Sequence, residues 1–144
     1  MAGGTTVTPL WERAGDCVPY TVGTAAITLG QAVVFDAANT GTVLIGTNES
    51  ILPAGVAIAA RRLSRTQTDD EVAIGEIVDV ATKGNVYLTA TAAAIAIGDL
   101  VQCAASGEIK KLTVSASTDV NKILGRALTA ISSAGGAIKV RLLV

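Results

Sequence analysis

The sequence has 144 residues, 50% of them hydrophobic but only 3% aromatic, which is enough for one domain with a core of aliphatic side chains. Its formal net charge of −1 argues against a nucleic-acid partner, because binding to phosphates requires a basic face. The sequence contains no His, so the commonest general base and the commonest metal ligand are both missing. We therefore expect neither an enzyme nor a cofactor.

The first 16 residues are expected to form an extended N-terminal arm. They lack the basic start and the apolar stretch of a secretory signal, and no window of the chain reaches the roughly 18 apolar residues of a membrane span. We expect synthesis in the cytoplasm and no membrane partner. The apolar group Val7, Pro9, Leu10 and Trp11 is the candidate contact site, since Trp is enriched at protein interfaces. The alternative is that Trp11, in a segment with no strand pattern, folds back and caps one end of the domain.

Residues 17–144 are expected to form a single all-β domain. Short runs of Val, Ile and Thr, separated by Gly, Asn, Asp and Ser at intervals of about ten residues, are typical of a small barrel or sandwich. A short turn of helix is expected in the Ala-rich Thr89–Ala96, and a single turn in Ser115–Asn121. The expected strands are Pro19–Val22, Gln31–Asp36, Thr42–Gly46, Gly55–Arg62, Glu71–Val80, Asn85–Thr89, Leu100–Ala104, Ile109–Val114, Ile123–Ile131 and Ala137–Val144.

An internal repeat relates the two halves of this domain. Ile27–Val33 parallels Ile95–Val101 as Ile-x-x-Gly-x-x-Val, and Gly55–Ala60 parallels Gly125–Ala130, with offsets of 68 and 70 residues. Two similar β-halves that close on each other would protect most sheet edges. The alternative is coincidence, since such a motif arises readily in a chain rich in Ala, Val and Gly. The pseudo-repeats span about residues 24–80 and 92–144.

The search for catalytic motifs finds none. A phosphate-binding loop, a Gly-x-Gly-x-x-Gly fingerprint and a Gly-x-Ser-x-Gly elbow are all absent. Asp79, Asp99 and Glu108 are candidate paired carboxylates for glycoside chemistry, but they are better interpreted as turn and edge residues. Cys17 and Cys103 allow one disulfide or two reduced thiols, and their spacing does not decide between them.

One basic cluster is present, formed by Arg61, Arg62 and Arg65. The acidic run Asp69–Glu71 follows it closely, so the local charge nearly cancels. We interpret both groups as solvated surface and not as a phosphate or cation site.

The last two thirds of the chain resemble a family of small phage head proteins. The shared pattern is an apolar-Gly-Asp-x-Val element, a Gly turn, an apolar-Gly-x-Ala-apolar element and a closing strand. It covers about Thr24–Val144, and an early copy of one element is Gly55-Val56-Ala57. The segments that carry it are Ala73–Leu88, Ile97–Val101, Gly107–Ile109, Ile123–Leu128 and Ile138–Leu142.

The resemblance implies a capsid decoration, or cement, protein. Such a protein is a small β-fold on the outside of the virion head, often a homotrimer, with the major capsid protein and itself as partners. Some members carry a recombinase label, which the missing phosphate-binding loop argues against here. The segment Asp36–Ser50 is expected to be an insertion relative to the family. The alternative function is another phage structural or adhesion module, in a tail, a neck or a fibre base.

Overall fold

The computed structural model describes residues 11–14, 16–47, 52–61, 70–91 and 94–144, with the backbone alone for 11–14 and 61. Strands make up most of the regular secondary structure of the described residues, which confirms the predicted all-β class. Among the described residues, the helical elements are two short 3-10 segments, Ala105–Gly107 and Ser117–Lys122, and neither could cross a membrane. The strands are β1 (Trp11–Ala14), β2 (Cys17–Val22), β3 (Ile27–Thr28), β4 (Ala32–Phe35), β5 (Thr42–Ile45), β6 (Pro53–Arg61), β7 (Glu71–Val72), β8 (Ile77–Ala81), β9 (Lys83–Thr89), β10 (Leu100–Cys103), β11 (Ile109–Lys111), β12 (Gly125–Ala127) and β13 (Ala137–Leu143).

Five strands of the first half close into a barrel in the order β2-β5-β4-β6-β8, which we call the first barrel. Strands β2 and β5 are parallel, and the other neighbouring strands of the barrel are antiparallel. Because side chains alternate across a strand, Val33, Val43 and Val78 fill the interior, whereas Val34 and Val56 point outward. The predicted small barrel is therefore confirmed.

The strands of the second half, joined by β1 from the N-terminal segment, form an antiparallel sheet in the order β1-β9-β13-β12-β10-β11. A parallel bridge between Ala90 and Ile109 brings the end of β9 onto β11, so the sheet curls around its own core. That core contains Leu88, Val101 and Ile138, all of which are buried. We call strands β9 to β13 the second sheet, and β1 extends it at the β9 edge.

The two halves repeat the same backbone hydrogen bonds. The Gly30 N–H donates to the Ala57 carbonyl at 2.7 Å, and the Gly98 N–H donates to the Ala127 carbonyl at 2.8 Å. Both glycines have positive φ, 97° and 91°, which L side chains rarely adopt. These are the positions that the sequence repeat aligns, so the pseudo-repeat is a repeat of structure.

A second pair of glycines occupies the same place in both halves. A Cβ on Gly55 would collide with the carbonyl oxygen of Ala81, and a Cβ on Gly125 would collide with that of Arg141. In each half, the glycine lies at the point where two neighbouring strands approach closely. Strand pairing gives the same correspondence throughout: β2 matches β9, β4 matches β10, β5 matches β11, β6 matches β12 and β8 matches β13.

Several expected elements are different in the structure, and the strand expected over Ile123–Ile131 spans only Gly125–Ala127. Glu71–Val80 is not one strand, because a turn at Gly75, with φ of 85°, separates β7 from β8. The Glu76 carboxylate stabilises this turn by accepting the Ala73 N–H at 2.8 Å. The described part of Thr89–Ala96 contains no helical turn, because Ile95 instead makes a strand bridge. The predicted turn near 115–121 is confirmed as a 3-10 helix.

Two further expectations concern the N-terminal segment and Asp36–Ser50. Strand β1 begins at Trp11 and pairs with β9, so the expectation of no strand there is wrong. This strand forms because its backbone pairs with the edge strand β9, and the local sequence does not reveal such a pairing. Asp36–Ser50 contains β5, a wall strand of the first barrel, and its status as an insertion relative to the family stays a prediction. The division into an arm of 1–16 and a domain of 17–144 stays a prediction.

The first barrel packs by its outer face against one end of the second sheet. The outward residues Val34 and Val56 belong to the same buried cluster as Cys103 of the second sheet. At the same place, the hairpin between β10 and β11 reaches the first barrel, where the Gly107 N–H donates to the Gly46 carbonyl at 2.9 Å. The contact is apolar and continuous with the core, so the two halves form one body.

Candidate interaction surface

The described residues offer no site for metal or thiol chemistry. They contain no group of three His, Cys, Asp or Glu side chains that could hold a metal ion. Both cysteines are free, Cys17 exposed and Cys103 buried, and burial raises the pKa of the Cys103 thiol to about 12. Burial, then the charges of Asp79 and Asp16, raise the pKa of the Cys17 thiol. Both thiols are therefore poor nucleophiles near neutral pH.

The three candidate carboxylates do not form a catalytic pair. Asp99 precedes β10 and Glu108 precedes β11, so they lie at opposite ends of this hairpin. The Asp99 carboxylate accepts the Ala96 N–H at 2.8 Å and contacts Lys111 at 3.3 Å, and these partners hold its pKa below the usual range. Asp79 lies on β8 of the first barrel. The interpretation of Asp99 as a turn residue is confirmed.

Another carboxylate, Asp119, also serves local structure. Its Oδ2 accepts the N–H groups of Ser115 and Ala116, both at 2.9 Å, and its Oδ1 lies 3.0 Å from the Lys122 ammonium. These hydrogen bonds lower the pKa of Asp119 well below its ordinary value. They order the segment that connects β11 to β12.

A shallow groove of about 420 Å³ runs between the two halves. The Gln31 side-chain amide crosses its floor and donates to the Ser106 carbonyl at 3.0 Å. The groove is open and is bordered by one carboxylate, so it has no converging acid–base pair. Its lining residues are Leu29, Gly30, Gln31, Tyr87, Thr89, Ser106, Gly107 and Glu108.

The first barrel has an apolar open end, which we call the mouth and define by Val18, Tyr20, Phe35 and Leu52. The Tyr20 and Phe35 rings meet edge to face with centroids 5.7 Å apart. The Phe35 N–H donates to the Leu52 carbonyl at 3.2 Å, which places the backbone of Leu52 beside the end of β4. These residues begin β2, end β4 and precede β6. Strand β4 is antiparallel to β6 and to β5, and β5 is parallel to β2, so the start of β2, the end of β4 and the start of β6 lie at one end of the barrel.

The matching end of the second sheet is buried instead. By strand register, Val86 matches Val18, and Cys103 matches Phe35. Val18 and Phe35 are 37% and 38% exposed, whereas Val86 and Cys103 are 0% and 5% exposed. The difference arises because the first barrel covers the end of the second sheet, and no described residue covers the mouth in the same way. Exposed apolar clusters of this kind are typical of protein contacts.

The rim of the mouth is acidic. Asp36 directly follows Phe35, and Asp16 directly precedes β2. The Asn39 side chain and the Ala38 N–H lower the pKa of the Asp36 carboxyl, so it stays charged. Lys83 pairs with Asp16 at 3.3 Å on the exposed surface.

Of the contact residues expected from the sequence, the structure describes one, and by its backbone alone. Val7, Pro9 and Leu10 lie outside the described residues, and Trp11 is described only as the first residue of β1, opposite Val86. Their role as contacts stays a prediction. Sequence reasoning missed the mouth because Phe35 reads as an ordinary inward strand residue, although it is the only Phe in the chain.

The fold is similar to those of phage head proteins. The base of the head fibre protein gp8.5 of bacteriophage phi29 has a TM-score of 0.57 and 14% identity, over 89% of this chain and 93% of that one. A chain from the capsid of Myoviridae phage XM1 has a TM-score of 0.59 and 18% identity, over 98% of this chain and 89% of that one. No curated protein gives a match. These two likenesses show that the protein shares the small, all-β fold of those chains.

The sequence then gives the family. Residues 1–143 match the family described as structural cement protein (E217 gp24/Pam3 gp6), so this chain belongs to it. The protein is a phage capsid decoration, or cement, protein, which associates with capsid proteins in the virion. The resemblance found from the sequence is confirmed.

Proposed function

We propose that this protein binds the outer surface of the assembled head as a homotrimer and stabilises the contacts between neighbouring major capsid subunits. It uses no cofactor, catalyses no reaction and has neither nucleic acid nor membrane as a partner. It is synthesised in the host cytoplasm. The sequence supports these exclusions through its net charge of −1 and its lack of His.

The observation that carries this proposal is the separation of the exposed apolar side chains. Leu52 lies at the mouth of the first barrel, Ile74 in the turn at its opposite end, and Ile97 in the turn that leads into β10. A body that joins two neighbours needs adhesive patches on more than one face. Each patch can be weak, because binding at several points, repeated over a shell, adds to the stability of the assembly.

The test uses heads assembled without the protein. We expect purified protein to sediment with such heads and to raise the temperature at which they lose their contents. Ile74→Asp and Ile97→Asp should each weaken head binding by on the order of tenfold, because a charge is desolvated in an apolar contact. Ser133→Asp, at an exposed polar position, is the matched control. Failure of the wild-type protein to bind heads, or heads that resist heat equally well without it, would rule out the proposal.

The alternative of a fibre base is favoured by one observation, the similarity to the base of the phi29 head fibre. Copy number separates the two functions. Hundreds of copies in each purified particle would favour a cement protein, whereas a set of three to twelve would favour a tail, neck or fibre site.

A further inference from the structure

We call each half of the protein, the first barrel and the second sheet, a β-unit. The contact between the two halves shows which surface of one β-unit can cover the open end of another. In the second sheet, Cys103 and Leu124 lie at the end that the first barrel covers. The covering surface is the outer face of β4, β5 and β6, with Val34, Leu44 and Val56. One β-unit therefore closes the end of the next with its outer face.

The same contact cannot form for the mouth of the first barrel within one chain. If the repeat continued, the unit that covers the mouth would be another second sheet. The second sheet of the same chain cannot do this, because its open end already faces the first barrel. A second copy of the chain could supply the missing outer face. The pseudo-repeat thus indicates the place. The counterparts of Val34, Leu44 and Val56 on the second sheet are Gln102, Lys110 and Arg126, so the apolar part of such a contact has to come from another segment of the second half.

The outer side of the second sheet carries an apolar layer of its own. Strand β11 ends far from the buried end, and β12 begins at it, so the connection between them crosses β10 on the outside. Gln102, which points outward from β10, is buried accordingly. On this connecting segment, Val114 and Val120 remain exposed. They are the large apolar side chains of this connecting segment that are exposed.

Charge supports the same pairing. Around the connecting segment, the outer side of the second sheet carries Lys110, Arg126 and Arg141. The rim of the mouth carries Asp36, and Asp16 beside its partner Lys83. Opposite charges around an apolar centre favour correct docking and disfavour contact between two mouths or between two outer sides.

We propose that the mouth of the first barrel docks onto the outer side of the second sheet of another copy, with Leu52 and Phe35 against Val114 and Val120. This inference rests on the self-association in the proposed function and specifies its interface. The two surfaces differ, so the contact is heterologous and closes into a ring when the rotation between copies allows it. A ring of three chains would contain six β-units, each covering the next.

The first test measures self-association by sedimentation at increasing protein concentration. Leu52 and Val120 are 53% and 54% exposed, and Ile74, at the far end of the first barrel, is 61% exposed. Leu52→Asp and Val120→Asp should each weaken self-association by at least about tenfold, because the interface would bury an unpaired charge. Ile74→Asp should leave it unchanged. Equal weakening by all three substitutions would overturn the inference.

Mixing the two variants tests the heterologous geometry. The Leu52→Asp chain retains a functional outer side and the Val120→Asp chain retains a functional mouth, so together they should form a one-to-one complex that does not grow further. Absence of this complex, or a wild-type protein that is monomeric at all concentrations, would overturn the inference. Head binding reports separately on the proposed function: wild-type protein that binds heads but never self-associates would refute this interface alone.

Discussion

The mouth of the first barrel and the matching end of the second sheet are built on the same strand pattern but differ in their surroundings. In the second sheet, Val86 and Cys103 are buried beneath the first barrel, whereas Val18 and Phe35 of the mouth are partly exposed. Tandem repetition explains the difference, because in a row of two units only one end can be covered within the chain. The uncovered end of such a repeat protein is therefore the first place to look for a partner.

The largest effect should be seen in the rate of thiol labelling, which reports directly on whether the mouth and the matching end of the second sheet differ in exposure. Burial raises the pKa of the Cys103 thiol to about 12 from 9.0, so at pH 8 its thiolate fraction is roughly a thousandfold below that of an exposed thiol. In a Cys17→Ser background, we expect Cys103 to react only on unfolding. Phe35→Cys places a thiol at the matching position of the mouth, and it should react readily in the folded protein.

The labelling experiment contains its own check. Rapid reaction of Cys103 in the native protein would mean that the first barrel does not cover the second sheet, and the comparison would fail. Slower labelling of the Phe35→Cys thiol at high protein concentration would show that a second copy of the chain protects the mouth.

The next largest effect concerns the two close approaches of strands. Gly55→Ala and Gly125→Ala should each lower the free energy of unfolding by on the order of 3 kcal/mol or more, because the new Cβ meets a backbone oxygen that cannot move aside. Gly75→Ala is the control, since its Cβ would enter open space and meet only the strain of a positive φ, about 1 kcal/mol. Urea unfolding measures all three. A large loss at Gly55 without one at Gly125 would contradict the equivalence of the halves.

A smaller effect compares matched valines. Val86→Ala should cost about 2 kcal/mol, because it leaves a cavity in a sealed core, whereas Val18→Ala at the mouth should cost a few tenths. Thermal or urea unfolding of dilute protein gives both values. Similar losses at the two positions would show that the mouth is covered within the monomer.

The smallest effect is the pH dependence of the segment that connects β11 to β12. Since the folded state lowers the pKa of Asp119, the stabilisation it provides is fully present above its unfolded pKa, about 4, and is lost as the pH falls through the folded value. Asp119→Asn should be less stable than wild type at pH 7, and the two should converge in acid. Urea unfolding at pH 7 and pH 3 measures this, and a constant difference would exclude the carboxylate as the cause.

Most strands and the repeat could be predicted from the sequence, because alternation and glycine placement are local properties. The pattern around Gly30 and Gly98 predicted two turns, and both form with the same hydrogen bonds. Strand β1 could not be predicted, because its partner lies about 70 residues away in the chain. The same holds for the break at Gly75, where β7 and β8 pair with different strands.

The sequence by itself determined the β class, the two related halves and the family, since these depend on the order of residue types along the chain. Only the tertiary structure decided which half would be covered. Phe35 and Cys103 occupy matching strand positions, and nothing in their neighbouring residues says that one stays exposed and the other is sealed. Burial depends on what packs from outside the local segment, so the exposed mouth becomes visible only when the two units are seen together.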